Sequence, residues 1–479
     1  AGAVQLNPEQ TGEEPMAAAD LTLLVAAAVT LVAIAAARLG TRAGLPALLL
    51  FLLVGVALGN AGFGIRFDDA SLAHDLGFVA LVLILAEGGL TTSWKQMRPV
   101  LGVGLSLAVV GSLVTIAVVG LFGYFVLGLP RAVSFLLGAV VAPTDAAAVF
   151  SVLRGVSLPP RVRAALETES GFNDAPTVLL VIAGTELAMG SSPSGGMPGL
   201  AGEVVGELAI GVAAGLVTGW IGVQFLRRLS LSNSGLYPLA VMCWILVTYG
   251  LVGFIHGSGF AAVYVCAVAL GNGQLPHRHA TKSFAEGIGW VAQIGLFVML
   301  GLLVHPSTIS WPDIGAGVAL GVVLTLVARP LAVYVSTVWF GTDWRHQAFM
   351  SWAGLRGAVP IILATVPMAA GMPGSDVLFD VIVVFVVVFT SLRAYLSQQA
   401  QYDAVVDRIK EASDTSTALE NELAQWKDDT YVRSQVRERL GYVMPGDTSY
   451  VVVGADSVKQ PGASGGATQG SQDAPWYQT

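Results

Sequence analysis

The stretch Glu167-Thr-Glu-Ser-Gly-Phe-Asn-Asp-Ala-Pro-Thr-Val-Leu-Leu180 sets Glu169, Asn173 and Asp174 at the head of an apolar run, Val178 to Ala183. A carboxylate can hold a proton or a small hard cation, but not both at once. If such a group faces one side of a barrier at a time, that competition alone gives exchange. Burial holds the proton on a carboxyl group more tightly, which brings its titration toward physiological pH. Asp174 is the candidate carrier. Ser170 lies four residues earlier, on the same helix face, and adds a neutral oxygen; Asn173 is the immediate neighbour. An unpaired charge in a membrane helix is costly enough to be functional by default. The competing reading puts these acids in a cytoplasmic loop. Pro159, Pro160, Arg161 and Arg163 already supply a loop upstream, so the acids are expected inside a span over 164–189.

A second group of polar residues sits at two interruptions. Gly138-Ala-Val-Val-Ala-Pro-Thr-Asp-Ala-Ala-Ala-Val-Phe150 carries Pro143, Thr144 and Asp145 in mid-span. Gly354-Leu-Arg-Gly-Ala-Val-Pro360 carries Arg356 and Pro360. Paired broken helices in two halves of a chain point to a transporter site, with free helix ends and oxygen ligands such as Thr144 and Asp145 offered to an ion. Arg356 can neutralise carbonyl ends at its break. Two intramembrane charges remain, Glu169 and Arg329, and each is tolerable only with a partner, so they are paired here as a structural bridge. Glu87, in Ala86-Glu-Gly-Gly-Leu90, reads equally as an interfacial residue or as part of an ion path. Glu186 reads as interfacial. His256, His277, His279 and His305 fall at span ends and read as loop residues.

The elements that must position these groups are membrane helices. Of 479 residues, 54% are hydrophobic and 12% charged, against about 25% charged in a soluble domain. Mean hydropathy is +0.71. About thirteen spans are expected: 17–38, 44–60, 75–91, 99–127, 132–153, 164–189, 200–226, 235–255, 257–273, 283–304, 311–337, 346–370 and 374–396. Each must be helical, because lipid offers no partner to free backbone groups. The fold class is therefore all-α and polytopic. Spans 4–6 and 11–13 are expected to be inverted repeats, by position. Loops after odd-numbered spans hold most of the Lys and Arg, from Arg38 to Arg345, while those after even-numbered spans hold Arg66 and Arg131. The positive-inside rule then puts the amino terminus outside and the carboxyl terminus in the cytoplasm. Cys243 and Cys266 form neither a disulfide framework nor a metal spacing. The net charge of −8 gathers at the termini and implies no nucleic-acid partner. No enzyme activity and no cofactor are expected, and no signal peptide is read at the start.

Residues 1–16 read as a disordered extension and 17–391 as the membrane region. Beyond residue 392 charge rises. Tyr395, Tyr402, Ile409, Ser416 and Leu423 recur every seven residues, with Gln398, Val405, Ala412, Leu419 and Trp426 at the second core position. This is a coiled-coil pattern within 392–454. Arg433, Arg437 and Arg439 follow, then a possible strand at Tyr450 to Val453. Residues 455–479 are Gly/Ser/Gln-rich and expected to be disordered.

Glu169-Ser-Gly-Phe-Asn-Asp174, Thr144-Asp145-Ala-Ala-Ala-Val-Phe-Ser151, Ala86-Glu-Gly-Gly-Leu90 and Gly354-Leu-Arg-Gly-Ala-Val-Pro-Ile-Ile-Leu363 together resemble the NhaP-type monovalent cation/proton antiporters, over about residues 17–389. The resemblance implies exchange of K+ or Na+ for H+ in a bacterial cytoplasmic membrane. It also implies a homodimer, with a moving core (99–189 and 311–391) and a dimerisation scaffold (17–98 and 200–304). The Asn173-Asp174 pair implies electroneutral one-for-one exchange. The stretch from Gly354 through Val366-Pro-Met368 is most similar to the potassium/proton branch, whereas Thr144-Asp145-Ala146 departs from the Thr-Asp-Pro of many relatives. The implied ion-site residues are Asp174, Asp145, Thr144, Ser170 and Asn173, and the implied structural pair is Glu169 with Arg329. From Leu392 to Gly446 the chain resembles instead the septum-formation initiator family of actinobacterial cell-division proteins. That resemblance implies a division-protein partner for the coiled coil and leaves a second reading open, a membrane scaffold for division. Those proteins carry their coiled coil outside the cell, which conflicts with the charge rule.

Overall fold

A computed structural model describes residues 13–43, 47–60, 62–65, 67, 69–145, 159–191, 196–229, 233–354, 356–357, 359–440 and 445–446. All regular structure among the described residues is helical, as a lipid environment requires of a chain this apolar. In chain order the helices are α1 (Glu13–Ala43), α2 (Ala47–Leu58), α3 (Ala70–Thr91), α4 (Trp94–Phe125), α5 (Arg131–Val141), α6 (Pro160–Ala188), α7 (Gly196–Arg228), α8 (Leu236–Phe254), α9 (Gly259–Asn272), α10 (Arg278–Leu303), α11 (Trp311–Phe340), α12 (Trp344–Ala353), α13 (Val359–Ala369), α14 (Ser375–Trp426) and α15 (Asp429–Leu440). Residues 1–401 form one compact unit and 402–479 a second.

Seven helices among the described residues are long and apolar enough to cross a membrane: α3, α4, α7, α8, α10, α11 and the start of α14. Five shorter apolar stretches lie in α1, α2, α5, α9 and α13. α6 belongs to neither set, because polar side chains fill its first half. Several boundaries differ from the expected ones. α1 starts at Glu13, so residues 13–16 are helical rather than part of an extension. Lys95 and Arg98, expected in a loop, lie in the first turns of α4. Pro160 likewise opens α6 instead of holding a loop, and Arg161 and Arg163 follow it in helix. A proline at the first helical position loses no hydrogen bond and carries the right φ, so a Pro-Pro pair starts a helix as readily as it makes a loop. Residues 146–158 of the fifth expected span, the Tyr450–Val453 strand and the 455–479 tail lie outside the described residues.

The helices of the first unit pack in two groups. α4, α5, α6, α11, α12 and α13 pack on one another, and so do α1, α2, α3, α7, α8, α9 and α10. α13 against α3 and α6 against α9 join the groups. Backbones approach closely where glycine allows it: a Cβ on Gly301 of α10 would collide with the α2 backbone at Leu52, and one on Gly55 would collide with Val298. Both α4 and α11 contain a π-helical turn, Leu107–Gly111 and Leu324–Ala328. Each π turn begins thirteen residues after the Trp that opens its helix, Trp94 or Trp311. The two helices cross near these turns, where Ser106 Oγ donates to the Ser336 carbonyl at 2.8 Å.

In the second unit, Tyr402, Val405, Ile409, Leu419, Leu423 and Trp426 of α14 are exposed. The Trp426 and Tyr431 rings meet edge to face at 5.6 Å. The Thr430 backbone N–H donates to Asp428 at 2.8 Å and holds that carboxyl below its usual range.

Candidate functional site

Asp174 is the central residue of the 29-residue α6. At 1.5 Å per residue it lies about 21 Å from either end, the depth of a bilayer midplane. The turn that carries it is loosened. Pro176, inside the helix, has no N–H to give the Phe172 carbonyl. Thr177 Oγ1 donates instead to the carbonyls of Asn173 (2.7 Å) and Asp174 (2.9 Å).

The interruption after α5 is drawn against this turn. α5 ends at Val141, and residues 142–145 run on without helix. Asn173 Nδ2 donates to Thr144 Oγ1 at 2.7 Å, with both side chains buried. A buried oxygen that no protein group meets is rare in a folded core, and a bound proton, cation or water is what satisfies such an atom. The two interruptions also meet. A Cβ on Gly357, in the break between α12 and α13, would collide with the Asp145 carboxylate. Only glycine leaves room there for Asp145.

These groups open onto a cavity of about 360 Å³. Glu87, Thr144, Asp145, Ser170, Asp174 and Tyr264 are among the polar residues that line it, with Thr91, Thr92 and Gln293. The cavity reaches Glu167 and Arg163 near the start of α6, an ion pair at 3.0 Å. Leu81, Leu85, Leu296, Phe297 and Ile362 form much of the rest. Of the sequence-predicted residues, Asp174, Asp145, Thr144, Ser170 and Glu87 therefore line one cavity, while Asn173 is bonded to Thr144.

Glu169 and Arg329 stand apart from the cavity. The guanidinium grips the carboxylate with Nη1–Oε1 at 2.5 Å and Nη2–Oε2 at 2.9 Å, and Nη2 also reaches the Met350 carbonyl at 3.3 Å. Each residue is 2% exposed. A Cβ on Gly354 would strike the Arg329 side chain, so Arg329 ties α6, α11 and the end of α12 together. The two-pronged geometry is the strong form of the pair. Arg356 is also buried, but it lines a separate cavity of about 20 Å³ beside Thr325 and Phe389.

Sequence reading missed Tyr264 and the Pro176–Thr177 arrangement. Pro176 was visible inside the motif as a helix interruption. Tyr264 gave no signal, because α9 reads as one more apolar run and only the packing of α9 on α6 brings it to the site.

The model of the family described as sodium/hydrogen exchanger, transmembrane, matches residues 26–397, and that of the septum formation initiator matches residues 377–455. The chain is 38% identical to a K(+)/H(+) antiporter NhaP2 of Shewanella baltica, over 77% of this chain and 64% of that one. It is 39% identical to a K(+)/H(+) antiporter NhaP of Alkalimonas amylolytica, over 79% and 65%. A Na(+)/H(+) antiporter NhaH of Halobacillus dabanensis is 29% identical, over 73% and 88%. The chain thus spans slightly less than two thirds of the length of the first two relatives. The solved sodium proton antiporter MjNhaP1 of Methanocaldococcus jannaschii at pH 8 superposes with a TM-score of 0.68 at 20% identity, covering 78% of this chain and 99% of that one. At that identity the likeness shows the fold.

Proposed function

The chain belongs to the sodium/hydrogen exchanger family, and on that premise we propose that it is a secondary antiporter exchanging a monovalent cation, K+ or Na+, for H+ by alternating access. One observation carries the reading: Asp174, at the midpoint of α6, has a buried oxygen without a partner among the described residues and lines a cavity shared with Asp145. Proton and cation compete for Asp174, with Asp145, Thr144, Ser170 and Glu87 as further oxygen groups along the path. Asn173 holds the broken segment through Thr144. With one titrating carboxylate in the Asn173-Asp174 pair, exchange is one for one and electroneutral. The potassium branch is favoured by relatives at 38–39% identity that are named K+/H+ antiporters.

The two packing groups act as a moving core and a scaffold, the scaffold also forming a homodimer. The matching π turns in α4 and α11 support inverted repeats, and the breaks beside Asp145 and Arg356 support two crossing helices. The chain is read as about thirteen crossings of a bacterial cytoplasmic membrane, amino terminus outside and carboxyl terminus inside. Glu169 and Arg329 hold the core together, and Arg356 neutralises carbonyl ends at its break.

A second reading, a division scaffold acting through 392–454, is favoured by the septum formation initiator match and the exposed heptad residues of α14. Both are tested on purified full-length protein in proteoliposomes. An imposed pH gradient should collapse on adding K+ or Na+, saturably and equally with the membrane voltage clamped at zero. No cation-dependent collapse leaves the scaffold reading. Voltage-dependent rates exclude electroneutrality.

A further inference from the structure

Tyr264 is a polar residue of the cavity lining to which the ion site of Asp174 and Asp145 assigns no role. It comes from α9, in the other packing group from α6, and is 3% exposed. Its hydroxyl meets no hydrogen-bond partner of ordinary geometry among the described residues. Thr92 is close enough to interact with it, but its proton is already donated to the Gly88 carbonyl at 2.6 Å, so Thr92 can only accept from the phenol and leaves the phenol's lone pairs without a donor. Thr91 is spent similarly, on the Glu87 carbonyl at 3.0 Å. A buried hydroxyl with unfilled lone pairs is unfavourable, and phenylalanine would fill the same space without that cost. The hydroxyl therefore needs a reason.

Its surroundings supply one. The ring end lies so close to α6 that a Cβ on Gly171 would collide with Cζ and Oη of Tyr264. Gly171 is three residues before Asp174, hence on the same helix face and less than one turn away. Phe172 meets the Tyr264 ring edge to face at 5.0 Å and fixes its orientation. Gly171, Ser170, Asp174 and Tyr264 line the same cavity. A phenol hydroxyl both donates and accepts, so it can offer lone pairs to a cation and its proton to a carboxylate or water.

We propose that Tyr264 is a cation-binding residue of the antiporter, its hydroxyl contributing an oxygen, directly or through one water, to a partly dehydrated monovalent cation on its way to Asp174. The inference rests on the antiporter reading. It makes the ion site a composite: α6 brings the carboxylate and α9 brings the phenol. Gly171 is what lets the two approach.

The test uses full-length protein in proteoliposomes, comparing wild type, Tyr264→Phe and Tyr249→Phe. Tyr249 meets Phe260 edge to face and does not line the cavity, so its variant controls for loss of a phenol. Apparent KM for K+ and for Na+, maximal rate and melting temperature are measured for each. Tyr264→Phe should raise KM about three- to tenfold for at least one of the two cations, the worth of one modest hydrogen bond. Maximal rate and melting temperature should change little, and Tyr249→Phe should match wild type. A Tyr264→Phe protein whose KM equals that of wild type overturns the inference and leaves the antiporter reading intact. So does a loss confined to maximal rate or stability, which marks a packing role. A wild type without cation-driven proton movement overturns both.

Discussion

Glu169 and Arg329 show what a buried charge requires at the scale of single residues. Each is shut away from water, and the two-pronged contact is what makes this tolerable. Removing one partner of such a pair costs about 3–5 kcal/mol, because the other charge is left uncompensated. Arg329→Ala and Glu169→Gln should each lower the melting temperature of the detergent-solubilised protein, and the double variant should recover part of the loss. Simple additivity of the two single losses would mean that the residues do not touch. A second expectation concerns pH. If Asp174 takes either ion, apparent cation affinity must weaken as pH falls, by at most tenfold per unit, the slope set by one competing proton. Cation titrations of exchange at several pH values measure that slope, and a flat profile through acid pH contradicts a shared group. These residues were legible in the sequence because each is a charge out of place in an apolar run. Tyr264 was not, since an aromatic residue in an apolar helix is unremarkable until its neighbours are known.

At the scale of elements, the apolar runs marked where helices lie, and Pro143 and Pro360 marked where two of them break. The start of α6 was read wrongly as a loop, because Pro159-Pro160 is compatible with both outcomes. The π turns left no trace in the sequence, since a single extra residue in a helical turn does not change its composition. Neither did the meeting of the breaks at Gly357, which depends on the placement of two segments more than 200 residues apart. That meeting is testable. Gly357→Ala has no room without displacing Asp145. Overpacking of this kind typically costs about 1–3 kcal/mol, and here the displaced group is a site carboxylate, so exchange should fall at least tenfold. Gly315→Ala, in α11 with nothing within 4 Å of the added methyl, should leave exchange unchanged. Equal activity of the two variants, assayed side by side in vesicles, would mean that the crossing of the breaks is not needed.

For the whole molecule, the sequence carries two signals that the family comparisons also separate, one ending at residue 397 and one covering 377–455. The compact units divide near the same place, after residue 401. Fold class was legible because composition and repeated apolar runs leave lipid as the only compatible solvent. The partition into two packing groups was not, because it depends on which helices touch. Among its described residues the first unit holds an unsatisfied carboxylate oxygen at the middle of α6, beside a cavity lined by polar and apolar groups. The most direct test is therefore Asp174→Asn, which keeps the side chain's size and removes its ability to titrate. Wild type and variant are reconstituted as full-length protein and challenged with K+ and with Na+ while internal pH is followed. The predicted result is cation-driven proton movement in wild type and none in Asp174→Asn, at equal protein content and with an unchanged melting profile. Full exchange by Asp174→Asn would contradict the assignment of Asp174 as the group that carries the ions.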